Sequence, residues 1–148
     1  MTFRFSLQPV LRFRQSVEHQ QEILLQQANF GVAAIEREIA DVDLCIRSIA
    51  AARAHELDSG STVAEINFDG LRRSVLLERR RELDRELARR QELQRQRSEQ
   101  FQHARREREL MGTLRRLRLE FYRLQEARRE QRQLDDLFLL RREFLRRG

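Results

Sequence analysis

Between Ala28 and Ile49 the apolar residues Ala28, Val32, Ile35, Ile39, Val42, Ile46 and Ile49 recur at alternating steps of four and three. That spacing keeps one row of side chains on one side of a helix for several turns, which is the seam of a coiled coil. Upstream, Leu7, Val10, Val17 and Leu24 repeat in a similar way, and they join the first row through an extra step of four near Ala28. An inserted step of this kind is a stutter, which changes the supercoil locally without ending the helix. Ser6 before Leu7-Gln8-Pro9 suits a helix start, because a serine hydroxyl accepts from the first free N–H groups and proline in the first turn costs no intrahelical bond.

The pattern stops at Asp58-Ser59-Gly60-Ser61-Thr62 and resumes near Leu71, after Asn67-Phe68-Asp69-Gly70. These are turn-forming residues, and they predict a bend over 58–70. Within it Thr62 and Glu65 have the spacing of a capping box for a short helical turn, and Asp69 is placed to cap the helix that follows. The second apolar row then runs through Leu76, Leu83, Leu87, Phe101, Ala104, Met111, Leu114, Leu117, Phe121, Leu124, Leu134, Phe138 and Leu145. It contains no proline, and its one glycine, Gly112, costs about 1 kcal/mol without breaking it. Arg90, Gln94 and Arg97 fall where seam leucines belong, so a loose, solvated stretch is expected there, with arginine stems covering nearby apolar surface.

The expected fold is therefore all-α: a long two-helix antiparallel coiled-coil hairpin forming one domain over 1–148. Its first helix covers about 6–57, its bend 58–70 and its second helix about 71–146. Helices of about 50 and 75 residues span about 75 and 110 Å at the helical rise, so their ends cannot match. With the bend centred in 58–70, Leu57 lies near Leu71 and Leu7 near Phe121, and residues from about 122 onward extend past their partner. That overhang still carries Leu124, Leu134, Phe138 and Leu145, and an unburied apolar stripe on a helix marks a place for a partner.

Composition supports a helical chain. Of 148 residues 40% are hydrophobic, with five glycines, one proline and no tryptophan, too little punctuation for a fold of short strands. All 30 cationic residues are arginine, a bias that genome composition explains better than function does. Residues 1–70 hold six arginines and ten acids, whereas residues 71–148 hold 24 arginines and 14 acids. An acidic partner is expected to meet the second half.

Chemistry of other kinds lacks its residues. The absence of lysine removes the phosphate-binding loop of a nucleotide hydrolase. Three scattered histidines, His19, His55 and His103, offer no metal-ligand spacing, and His103 is expected at the surface. Asp135-Asp136 reads as solvated charge and Cys45 as a small apolar residue near the seam. Neither an enzyme nor a cofactor is expected. A single cysteine, no apolar run of spanning length and no signal-peptide core point to the cytosol.

Three stretches together resemble the flagellar FliJ family. The opening Phe5-Ser6-Leu7-Gln8-Pro9-Val10-Leu11-Arg12-Phe13-Arg14 is similar to that family's N-terminus. Arg129-Glu130-Gln131-Arg132-Gln133-Leu134-Asp135-Asp136-Leu137 resembles its C-terminal signature, with Arg132 where a lysine is usual, and Ile66-Asn67-Phe68 with Leu71 resembles its hairpin region. The resemblance implies a component of the flagellar type III export apparatus, similar to the central stalk of rotary ATPases. Such a protein binds and activates the ring of the export ATPase FliI, links it to the cytoplasmic domain of the export gate FlhA, and meets export chaperones. It works in the cytoplasm, peripherally associated with the inner membrane at the flagellar base. The resemblance and the overhang converge on Arg128, Arg129, Gln131, Arg132, Leu134, Asp135 and Phe138 for contact with the ATPase ring. Leu44, Leu71 and Val75 are candidates for the gate contact or, alternatively, ordinary seam residues.

Other readings stay open at this level. A YscO-like stalk of virulence type III secretion has the same size and role, although the Phe-Ser-Leu-Gln-Pro-Val-Leu run favours the flagellar branch. An arginine-rich coiled coil could bind nucleic acid, but Glu78, Glu82, Asp84 and Glu86 interleave with the arginines as on a salt-bridged exposed face. A membrane-surface role would be confined to the first turns, with Phe3, Phe5 and Phe13 among Arg4, Arg12 and Arg14.

Overall fold

The structure, a computed structural model, describes residues 2–148. It is all-α, with two helices, α1 (Gln8–Ser59) and α2 (Val63–Arg147), and no strand among the described residues. Contacts divide the chain into two compact units. One is His19–Gln102, which holds the connection between the helices; the other joins the stretch ending at Glu18 to His103–Gly148.

Every residue on one unbroken three-and-four repeat that starts at Leu7, just before α1, is buried or half-buried: Leu7, Leu11, Arg14, Glu18, Gln21, Leu25, Ala28, Val32, Ile35 and onward through Ile49 to Glu56. The stutter expected near Ala28 is absent. It arose because Arg14, Glu18 and Gln21 hold seam positions without being apolar, which left Val10, Val17 and Leu24 as the visible pattern. Val10 is in fact exposed, while Leu11 is buried. Writing Val32 as position a and Ala28 and Ile35 as position d describes the whole helix in one heptad frame.

In the His19–Gln102 unit the two helices run antiparallel. Gln94 Nε2 donates to Asn29 Oδ1 at 2.7 Å, and Arg80 Nε donates to Asp43 Oδ1 at 2.8 Å. Leu83, 2% exposed, is the most deeply buried side chain. Around Gln94, where a loose stretch is expected, the seam is polar but bonded. Arg90 also closes on Gly31, where an added Cβ would meet its Nη1 at 3.2 Å. In the other unit Arg108 grips Glu18 through Nε at 2.6 Å and Nη2 at 3.2 Å, and Arg14 pairs with Glu107 at 3.3 Å. The polar seam positions Arg14 and Glu18 thus carry ion pairs. Gln21 does not: its buried Oε1 has no hydrogen-bond partner.

The bend is much shorter than 58–70. Gly60 takes φ +84° and donates its N–H to the Glu56 carbonyl at 3.0 Å, the left-handed cap that glycine tolerates best. Thr62 and Glu65 then form the expected capping box, Thr62 N donating to Glu65 Oε2 at 3.0 Å and Glu65 N to Thr62 Oγ1 at 3.4 Å. This box opens α2 itself rather than a separate turn, so Asn67-Phe68-Asp69-Gly70 is helical and Asp69 caps nothing. Once a helix is nucleated, such residues cost at most about 1 kcal/mol each and are carried through. The facing register moves by about one turn as a result. Phe121 is 59% exposed instead of packing near Leu7, and Leu57 and Leu71 are both exposed.

α1 begins at Gln8, with Gln8 N bonded to the Phe5 carbonyl and Leu11 N to the Leu7 carbonyl. Ser6 serves α2 instead: its hydroxyl accepts from Arg118 Nη1 at 3.1 Å. The arm before the helix packs on α2 through Phe3 on Tyr122, with ring centroids 5.5 Å apart, and through Arg118 over the buried Phe5 ring.

Three consequences can be measured. Replacing Gly60 with alanine forces a side chain into the left-handed region, and urea unfolding should show a loss of about 1 kcal/mol. The Gln21→Leu variant removes an orphaned acceptor from the seam and should gain about 1 kcal/mol in the same assay. Hydrogen bonding to Arg108, reinforced by the charges of Arg108 and Arg105, holds the Glu18 carboxyl below the usual carboxylate range despite desolvation. A lowered folded pKa gives stability that is present above the unfolded pKa and lost as pH falls through the folded one. The Glu18→Gln variant should therefore be less stable than wild type at pH 7, by about 1 kcal/mol, with the gap closing below about pH 4.

Candidate partner-docking surfaces

Every α2 residue after Glu126 is exposed. Leu119 and Tyr122 are the last half-buried apolar and aromatic positions, close to where the extension past the partner helix is expected. Beyond them Leu134 is 61% and Phe138 68% exposed, with Leu145 on the same face. Leu137, Leu140 and Phe144 form an adjoining row at steps of three and four. At 100° per residue the two rows together cover an arc of about 160°, far wider than one coiled-coil seam. The second row escapes a search for a single seam, although the dense Leu137–Leu140 run signals it.

The polar residues of this segment divide into paired and unpaired. Arg129 Nη1 donates to Glu126 Oε1 at 2.8 Å, and Gln131 Nε2 to Asp135 Oδ1 at 3.0 Å, both along the helix. Arg128, Arg132, Arg141 and Arg142 have no ion pair among the described residues. Leu134, Asp135 and Phe138 sit within about one turn of one another, with Arg128, Arg129, Gln131 and Arg132 on the turns before them.

The arginines between 79 and 95 are arranged differently. Arg79, Arg80, Arg81, Arg85, Arg89, Arg90 and Arg95 all pair with carboxylates, mostly three or four residues away. Hydrogen bonds from Arg90 and Arg89 hold Glu86 below the usual carboxylate range, and Arg95 does the same to Glu92. Charge spent inside the helix in this way offers little to phosphate, in keeping with the salt-bridged exposed face that the interleaved acids suggest.

Leu44, Leu71 and Val75 are 61%, 65% and 62% exposed, which excludes seam packing for all three. Leu71 and Val75 continue a row from Phe68 along α2, while Leu44 lies on the other helix, at the outermost position f of α1. Cys45 is likewise exposed, at position g on the flank of the seam rather than within it. His103 lies at the surface with its side chain 75% exposed.

Among the described residues no group of three or more His, Cys, Asp or Glu side chains could hold a metal ion, and no helix is long and apolar enough to cross a membrane. No curated protein and no solved structure gives a significant match. The family model described as flagellar FliJ protein matches residues 3–148, essentially the whole chain. The chain belongs to the flagellar FliJ family and is a component of the flagellar type III export apparatus.

Proposed function

We propose that this chain is the stalk of the export apparatus: it binds and activates the export ATPase ring through the end of α2, and links that ring to the export gate and to substrate chaperones. The observation that carries the reading is the α2 segment after Glu126, exposed at every residue, with a broad apolar face beside unpaired arginines. A segment built this way lowers its free energy when a partner covers the leucines and supplies carboxylates to the guanidiniums. Arg128, Arg129, Gln131, Arg132, Leu134, Asp135 and Phe138 form the ring contact, extended by Leu137, Leu140 and Phe144. Phe68, Leu71 and Val75 on α2, with Leu44 on α1, form the gate contact. The chain itself does no catalysis and works in the cytoplasm, at the inner face of the membrane at the flagellar base.

Activation in this reading is geometric and electrostatic. A single helix end inside a hexameric ring touches some subunits and not others, so it binds one arrangement of subunits better than another and shifts their populations by that difference. The flagellar branch is favoured over a virulence-secretion stalk by the family match along the chain.

Titrating the chain into the cognate purified export ATPase tests the reading. Hydrolysis should rise saturably at about one chain per hexamer. Replacing Leu134, Phe138 and Phe144 together with alanine should raise the half-maximal concentration at least about tenfold, the loss expected of a central apolar contact. Reversing the charge of Arg128, Arg129, Arg132, Arg141 and Arg142 should weaken stimulation and flatten its salt dependence; full stimulation by that variant would remove the electrostatic part.

A further inference from the structure

The outer face of α1 carries a second apolar row that the stalk reading does not use, apart from Leu44. In the heptad frame of α1, Ile23, Phe30, Arg37 and Leu44 all occupy position f, opposite the seam. Ile23 is 41%, Phe30 72% and Leu44 61% exposed. Ala33, Ala34 and Ala40 flank the row and leave room for another backbone to come close. All of them lie in the His19–Gln102 unit, and none belongs to the pairs that join α1 to α2 there.

The order of residues in this row is self-complementary. A twofold axis between Ala33 and Ala34 sets Ile23 against Leu44 of a second copy, and Phe30 against its Arg37, each contact occurring twice. The same axis sets Gln26 against Asp41 and Gln20 against Arg47 of the second copy, with no like charges opposed. Phe30 meets an arginine that has no ion pair among the described residues, so a cation–π contact forms without breaking an existing bond. A parallel pairing in register would instead place Arg37, Asp41 and Arg47 each against its own copy, which is repulsive. We propose that this face of α1 is an isologous antiparallel interface between two copies of the chain, centred on Ala33–Ala34, with Phe30 and Arg37 as its anchors. From Ile23 to Leu44 it extends about 30 Å along the helix, and its small size makes the dimer concentration-dependent. Leu44 is covered in this dimer, so self-association and the gate contact proposed above exclude each other. The dimer itself does not rest on that reading.

Sedimentation equilibrium of the full chain from about 5 to about 300 µM should show a reversible monomer–dimer equilibrium. Phe30→Ser and, independently, Arg37→Glu should each weaken it about tenfold or more while leaving helicity unchanged and, at concentrations where the chain is monomeric, the thermal midpoint unchanged, because both positions face away from the seam. In a Cys45→Ser background the Ala33→Cys chain should form a disulfide dimer under mild oxidation. Ile23→Cys should link only when mixed with Leu44→Cys. A monomer at every concentration overturns the proposal, as does a dimer that survives both variants. Loss of the dimer only on changing Leu134 and Phe138 would assign it to the end of α2 and also overturn the proposal, and self-linking of Ile23→Cys would rule out the antiparallel arrangement.

Discussion

A two-helix coiled coil has one seam and no other core. Each helix can bury only its a and d positions, and the unbroken spacing from Leu7 to Glu56 fixes which residues those are. Everything else is set by that restriction. Five of the seven positions in each heptad face solvent or a partner, so large apolar side chains there, such as Phe30, Val75 and Phe138, are surplus to the fold. The chain is a scaffold whose small core, with Leu83 as its most buried member, holds several separate faces in place.

The seam also explains how charge is distributed. Over 79–95 the arginines of α2 are tied into ladders with Glu78, Glu82, Glu86 and Glu92 or reach across to Glu38 and Asp43, and farther on Arg108 reaches Glu18. Past Glu126 the acids are no sparser, but Arg128, Arg132, Arg141 and Arg142 lack such bonds among the described residues. The helix therefore changes character along its length, from the tied arginines of 79–95 to mostly untied ones after Glu126, with no change in secondary structure.

Much of this was legible in the sequence. The row Ala28 to Ile49, the capping box at Thr62 and Glu65 and the apolar stripe of the overhang all rest on spacing, which survives tertiary context. What was hidden had a common cause, polar or turn-forming residues in places where packing overrides preference. Arg14, Glu18 and Gln21 sit on the seam and mimic a stutter; Asp69 and Gly70 sit inside a helix already started by its cap and mimic a bend. The register error about Leu7 and Phe121 followed from that false bend. In the candidate site, Leu134 and Phe138 were visible because they continue a seam, whereas Leu137, Leu140 and Phe144 were not, because an unpartnered helix need not keep to one.

The three residues between α1 and α2 also govern how the chain finds its fold. Separation along the sequence between bonded residues grows steadily away from the connection, from 37 for Asp43 with Arg80, to 65 for Asn29 with Gln94, 90 for Glu18 with Arg108 and 112 for Ser6 with Arg118. Closing a loop costs more entropy the longer it is, but each pair made shortens the loop that remains for the next. Assembly accordingly runs like a zipper from Gly60 outward, with low contact order at its start, and the arm at Phe3 and Phe5 is the last piece to close and the first to open.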